Sequence, residues 1–347
     1  YLDASLRFMA VNRYYVNSEG TTTRYGQTIY QSVLSGIAQA PDGMRLDRSH
    51  DYTVANIKEL PSEADFMAEA NKLLGSFKDL RAAPIADEDY HGPVLFSADA
   101  ASSVFADLVG ENLLGRKPNL GQTGRTTGTW STSYKARVLP DFLSVVDDPT
   151  ILSVDGRSLL GGYPVDDEGV KAMRVSLIEN GKLINYVMGR EPIRDFPASN
   201  GHGRARVPTN PPGPSLGNLL VRSAQPVPGK ELKEKLIAMC RERDLPFGYY
   251  VQTMGPSRTP RLLYKVWVKD GHEELVRGAV FGSLDTRALR DNLIAAGDDV
   301  NVDNRILNIP HSIVNPSILF DDLEVKRADS KKDKLPDYPV PALVSTK

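Results

Sequence analysis

Two turn dipeptides, Asn180-Gly181 and Asp270-Gly271, each stand inside an apolar/polar alternating run, "VSLIENGKLINYV" and "LLYKVWVKDGHEELV". Such dipeptides accept the positive φ angles of a two-residue loop and force the flanking strands to pair antiparallel. Residues 5–39 read the same way, as two long strands joined by a turn at Asn17 to Gly20. Hairpins dominate and helices are fewer, so the expected fold class is α+β, with hairpin-rich mixed sheets and flanking helices, rather than a doubly wound parallel sheet.

Ser62 is placed to cap a helix whose apolar face carries Phe66, Met67, Ala70, Leu73, Leu74, Phe77 and Leu80. A second helix follows the short strand "GPVLFS" and runs through Ala101, Val104, Phe105, Leu108 and Val109. Further helices are expected over 230–243 and from Asp285 to Ala296, with strands at 142–146, 171–178, 182–189 and 248–254. "LLGRKPNLGQTGRTTGT" and residues 196–218, rich in Gly, Pro, Ser and Asn, read as long loops. The polar stretch "APIADEDYHG" marks a boundary. The chain divides there into residues 1–89 and 90–326, followed by a charged, Pro-rich tail, 327–347, expected to lie as an extended strap.

A formal net charge of −2, from 42 basic and 44 acidic side chains, provides no field toward a phosphate backbone or an anionic membrane, and nucleic acid is not expected as a partner. No apolar run approaches the roughly 20 residues that cross a bilayer, so no membrane span is expected. Cys240 is the single cysteine, which excludes an intrachain disulfide and a cysteine-cluster metal site. It falls on the apolar stripe Leu232, Leu236, Ile237 of a helix and reads as an inert thiol.

Five histidines are present, and none forms the H-E-x-x-H pair that would aim two imidazoles from one helical face. The glycine-rich loops lack a Gly-Lys-Ser/Thr ending, and no G-x-S-x-G elbow occurs. His202, between two glycines in "SNGHGRA", is either an exposed loop histidine or one that faces a cleft where backbone approaches a ligand. Asp166, Asp167 and Glu168 precede Gly169 in "PVDDEGVK". On a strand only Asp166 and Glu168 would share a face. General-acid work needs a raised pKa, which takes a metal or a buried apolar wall; hydrogen bonding to backbone N–H groups at a turn or strand end is the commoner use.

"VVDDPT", "PVDDEGVKAMRVSLIENGKLINYVMGR" and "SNGHGRA", in this order, resemble the C-terminal domain of the TldD/PmbA family, once described as modulators of DNA gyrase and now regarded as metal-dependent peptidases. "VNSEGTTTRYGQTIYQSVLSGIA" resembles the last hairpin of that family's N-terminal domain, and "GPVLFSADAASSVFADLVG" the strand and helix that open the C-terminal one. The resemblance implies that residues 1–89 are the end of an N-terminal domain whose first part lies upstream, in line with a start at Tyr1 rather than Met.

In the family's catalytic branch the helix after that strand carries H-E-x-x-x-H, and a distant cysteine completes a metal site. The matching stretch here, "FSADAASSVF", holds neither histidine nor glutamate, and Cys240 does not occupy a matching context. The chain is thus similar to the PmbA (TldE)-type branch, which lacks the metal motif and pairs with a catalytic subunit. The resemblance implies no catalytic residue, no metal ligand and no cofactor. The implied role is a non-catalytic, peptide-binding or channel-forming subunit of a homo- or hetero-oligomer with a TldD-like subunit, acting on a peptide or unfolded segment in the cytoplasm. Ser97, Asp99, Asn200 and His202 are the candidate cleft-lining residues, with Asp166, Asp167, Glu168 and Gly169 a structural signature. Two alternatives stand beside this. One is an active metallopeptidase holding zinc or iron on Asp99, His202 and a carboxylate such as Asp166; the other is a peptide-binding scaffold homodimer.

Overall fold

The computed structural model describes residues 1–86, 89–207, 209–306 and 308–328. The strap expected over 327–347 lies, from residue 329 onward, outside the described residues. The N-terminal part is a three-stranded antiparallel sheet in the order β1-β2-β3, built from β1 (Leu2–Val16), β2 (Thr22–Gln39) and β3 (Arg45–Val54). The β1–β2 turn is closed by Asn17, whose Oδ1 accepts from the N–H groups of Glu19 and Thr21. β3 is a strand that the sequence pattern did not reveal. In "RLDRSHDYTV" polar residues occupy nearly every position, and pairing with β2 holds it extended.

Helix α1 (Glu63–Ala82) begins as read, with Ser62 Oγ accepting from Asp65 N at 3.2 Å. Leu73, Phe77 and Leu80 pack on Leu34 and Leu46. Met67 and Leu74, expected on the same buried face, are instead 52% and 48% exposed, because a three-stranded sheet covers only a narrow stripe of a helix. Leu262 joins this cluster and ties the N-terminal part to the rest of the chain.

The remainder forms two mixed sheets. Its elements are β4 (Tyr90–Phe96), α2 (Ala98–Val104), β5 (Leu143–Asp147), β6 (Val175–Glu179), β7 (Asn218–Ser223), α3 (Gly229–Glu242), β8 (Phe247–Met254), β9 (Pro260–Trp267), β10 (Glu273–Val276), α4 (Thr286–Asp291), β11 (Leu293–Gly297), β12 (Asn301–Arg305), β13 (His311–Asn315) and β14 (Ile318–Arg327). One sheet runs β12-β13-β7-β5-β6 and ends on Lys182–Leu183; the other starts at Pro226–Val227 and runs β11-β14-β4-β8-β9-β10. The expected α+β class is the observed one, with few helices set against these sheets.

Helix α2 is wedged between the two sheets. Ala98, Ala100, Ala101, Ser102 and Val104 are buried, and Asn315 on β13 grips it by accepting from Ser102 Oγ at 2.6 Å and donating to the carbonyl of Ala98 at 2.8 Å. Helix α3 covers the outer face of the second sheet through Leu232 and Leu236.

Two expected elements are shorter than read. The Asn180-Gly181 hairpin forms, with φ of 46° and 74°, but its strands are 175–179 and 182–183 rather than 171–178 and 182–189. Beyond Leu183 the backbone turns to the glycine-rich loop, where Met188 N donates to Asn200 Oδ1 and Met188 O accepts from His202 N. The helix expected from Asp285 to Ala296 stops at Asp291, since Leu293, Ala295 and Ala296 are drawn into antiparallel pairing with β14.

Candidate functional site

Between the N-terminal sheet and the two larger sheets lies a cavity of about 1680 Å³. Every residue of β3 from Arg48 to Val54 lines it, and so does every residue of β12 from Asn301 to Arg305. Successive side chains of a strand point to opposite faces, so an unbroken run lines a cavity only where the strand's edge is the wall. Both strands stand at the ends of their sheets.

A hydrogen bond ties the two edges, with Asn304 Nδ2 donating to the carbonyl of Thr53 at 2.8 Å. That carbonyl therefore points away from β2. In an antiparallel strand the N–H and C=O of one residue lie on the same side and alternate along the chain, so Ser49 and Asp51 also turn their backbone groups toward the cleft.

Helix α2 contributes Asp99 and Ser103, one turn apart. Asp99 and Asp51 meet the cleft's water yet are surrounded by protein, and this enclosure raises both carboxyl pKa values. For Asp99 the negative charges of Asp303 and Asp51 add to the rise, with His50 and Arg48 offsetting it; for Asp51 the hydrogen bond from Thr53 Oγ1 opposes it. Among the described residues His50 Nε2 is buried without a hydrogen-bond partner beside these acids. Arginines 7, 48, 116, 157, 204, 206, 261 and 305 share the same walls.

Of the expected cleft residues, Asp99 lines the cavity, and Ser97, Asn200 and His202 are not among its lining residues. Ser97 caps α2, its Oγ accepting from Ala100 N at 3.1 Å and donating to the carbonyl of Gln252 at 2.7 Å. His202 is fully buried, with Nδ1 at 2.9 Å from the carbonyl oxygen of Asn200 and Nε2 at 3.1 Å from Asp147 Oδ1. Asn200 is committed to the backbone of Met188 and Tyr186.

The acidic run lies in a turn rather than on a strand, with Gly169 at φ 82°. Asp166 is 1% exposed and accepts from the N–H groups of Glu168, Val170 and Gly203. Asp167 accepts from Arg13, from Arg204 Nε and from Ala205 N, joining β1 to the 203–205 backbone. Glu168 accepts from Arg190 N. Desolvation raises the pKa of Asp166 and of Glu168, and the backbone donors offset it.

The metal that the resemblance implies for the catalytic branch does not fit this donor set. Among the described residues no group of three or more His, Cys, Asp or Glu side chains is placed to hold an ion. The alternative set of Asp99, His202 and Asp166 does not assemble, because His202 and Asp166 spend their polar atoms on internal partners. Cys240 is buried on α3, its Sγ packed over Gly248, and burial raises its pKa. The residues the sequence did not single out are those of the two edges and the arginines around them. Their only signal was the polar character of 45–54 and 301–305.

Comparison with known proteins gives the arrangement its relatives. TldE from Thermococcus kodakarensis superposes with a TM-score of 0.66 at 14% identity, covering 93% of this chain and 68% of that one. TM0727 from Thermotoga maritima, named provisionally as a modulator of a DNA gyrase, gives 0.65 at 16% identity over 93% and 68%. At these identities the likeness is one of fold. Metalloprotease MJ0996 of Methanocaldococcus jannaschii is 33% identical over 107 residues, 30% of this chain, which thus spans about a fifth (21%) of that relative's length. Residues 89–327 match the family model of the PmbA/TldA metallopeptidase C-terminal domain, and the chain belongs to this metallopeptidase-type family, TldD/PmbA.

Proposed function

We propose that this chain is a peptide-binding, non-catalytic member of its family, which takes an extended peptide into the cleft as a strand added to the edge of β3. The observation that carries this reading is the unbroken lining of the cavity by residues 48–54 and 301–305, two edges that face one space and are unpaired among the described residues. The outward backbone groups of Ser49 and Asp51 supply main-chain hydrogen bonds, which bind an extended chain with little regard for its sequence. The opposing edge of β12 and the floor of α2 leave room for alternate side chains. In this reading the cleft holds peptide, and a TldD-like partner subunit supplies the scission, since among the described residues no group of donors assembles a Lewis-acid site.

The test mixes the purified chain with labelled extended peptides and follows amide hydrogen exchange, with cleavage monitored in the presence and absence of a chelator. Slowed exchange at residues 49–53 without cleavage supports the reading. Peptide cleavage that the chelator abolishes overturns it.

A further inference from the structure

The cleft's arginines are not equivalent. Arg7, Arg116, Arg157 and Arg206 are exposed, where a guanidinium requires no protein partner, and Arg116 also pairs with Glu111. Arg204 and Arg305 are paired with Asp167 and Asp303. Arg48 is different: it is half-buried at the start of the cleft-facing edge, and among the described residues no carboxylate lies within ion-pair distance of it.

Its orientation is nevertheless fixed. Nε donates to Ser76 Oγ on α1 at 3.2 Å and Nη1 donates to Thr253 Oγ1 on β8 at 2.8 Å. A guanidinium carries five N–H donors, and among the described residues the side chain of Arg48, on the cavity wall, uses only these two. Arg261 stands close by. Its Nη1 donates to Ser49 Oγ at 2.7 Å, its Nη2 pairs with Asp47, and among the described residues its buried Nε has no partner. The stem of Arg261 lies over Gly255, where a Cβ would come within 2.8 Å of Nε.

Asp47 is the ion-pair partner of Arg261, not of Arg48. Asp99 is the other nearby acid, and it acts on Arg48 without reaching it as an ion pair. Desolvation, then the charge of Arg261, lowers the pKa of Arg48, as expected for an enclosed cation still lacking its anion.

We propose that Arg48, backed by Arg261, is a carboxylate receptor at the end of the β3 edge, and that peptides taken by the cleft present a carboxylate beside it. This deepens the strand-addition reading and rests on it. On an added strand, the residue directly opposite Arg48 shares its face, and opposite charges so placed attract. The carboxylate belongs either to an acidic side chain at that position or to a peptide C-terminus that stops there; both present the two oxygens a guanidinium fork binds.

The experiment measures fluorescence anisotropy of the full chain with a labelled octapeptide of alternating threonine and valine. One central position is glutamate or glutamine, and the C-terminus is free or amidated. At least one carboxylate-bearing peptide is expected to bind about tenfold tighter than the neutral amide, the scale of one charge-assisted hydrogen-bonded pair. Preference for glutamate with an amidated end assigns the side chain; preference for the free end with glutamine assigns the terminus.

Arg48→Met is expected to erase the preference, and Lys230→Met, on a side chain 89% exposed on α3, to leave it unchanged. The preference is read first on the unaltered chain, so it stands or falls even where Arg48→Met does not fold. Equal binding of all four peptides overturns the carboxylate receptor while sparing the edge. Absence of binding by every peptide overturns both.

Discussion

Asn304 donates its side-chain amide to the carbonyl of Thr53 at 2.8 Å and to that of Ser158 at 2.9 Å, while its own oxygen accepts from Ser312 Oγ at 2.6 Å. One side chain on β12 thereby fixes where the edge of β3 stands. Asn304→Ala strands two carbonyls, and the expected loss is about 1–3 kcal/mol. Urea unfolding reads the loss, and faster amide exchange at residues 49–53 reads the loosened edge. Unchanged exchange there would place the spacing under other control.

Asp51→Pro separates the edge from the sheet. Proline lacks the N–H that Asp51 turns toward the cleft, and an edge strand tolerates it. Circular dichroism is expected to stay close to that of the unaltered chain while peptide affinity falls at least about tenfold. Tyr52→Pro, one residue on, removes an N–H that points at β2, and is expected to unfold the strand.

Asp99→Asn tests the enclosure of the cleft floor by its pH dependence. A carboxyl whose folded pKa is raised costs stability when charged, and the cost disappears as pH falls through the folded value toward the ordinary one of 3.8. The variant is expected to melt about a degree higher at pH 7, a small shift because cleft water reaches the group, and to match the unaltered chain near pH 3.8. A variant that melts lower at pH 7 would mean that Asp99 is held by an attraction stronger than the repulsion of Asp303 and Asp51.

His202→Ala removes a fully buried ring that bridges Asn200 and Asp147, and is expected to cost about 2–4 kcal/mol through a cavity and lost hydrogen bonds. Metal content of the purified chain is expected to stay below stoichiometry before and after the change. Zinc or iron at one per chain, lost in the variant, would return the metal site to consideration.

Local chemistry explains what was readable beforehand. Ser62, Asn180-Gly181 and Asp270-Gly271 act within a few residues of themselves, so cap and turns are written where they operate. β3 and β12 are polar strands that pair with their neighbours in the chain, β2 and β13, and their alternation carries no apolar signal. His202 shows a different limit, one of distance along the chain. "SNGHGRA" suggests an open loop, whereas the acid that receives the imidazole, Asp147, is 55 residues away on β5. Asp99 is singled out through the resemblance of "FSADAASSVF" to the family's metal-motif helix, and that helix forms where its own sequence places it.

Helix α2 gives one side to alanine and serine and so fits between two sheets, and this sets the terms on which new ligands could be built into it. A bulky ligand at 98, 100, 101 or 102 would prise the layers apart. Positions 99 and 103 alone look into open space from this turn of helix, so the shortest route to a chelating pair is two imidazoles there, and that is where a designer would begin.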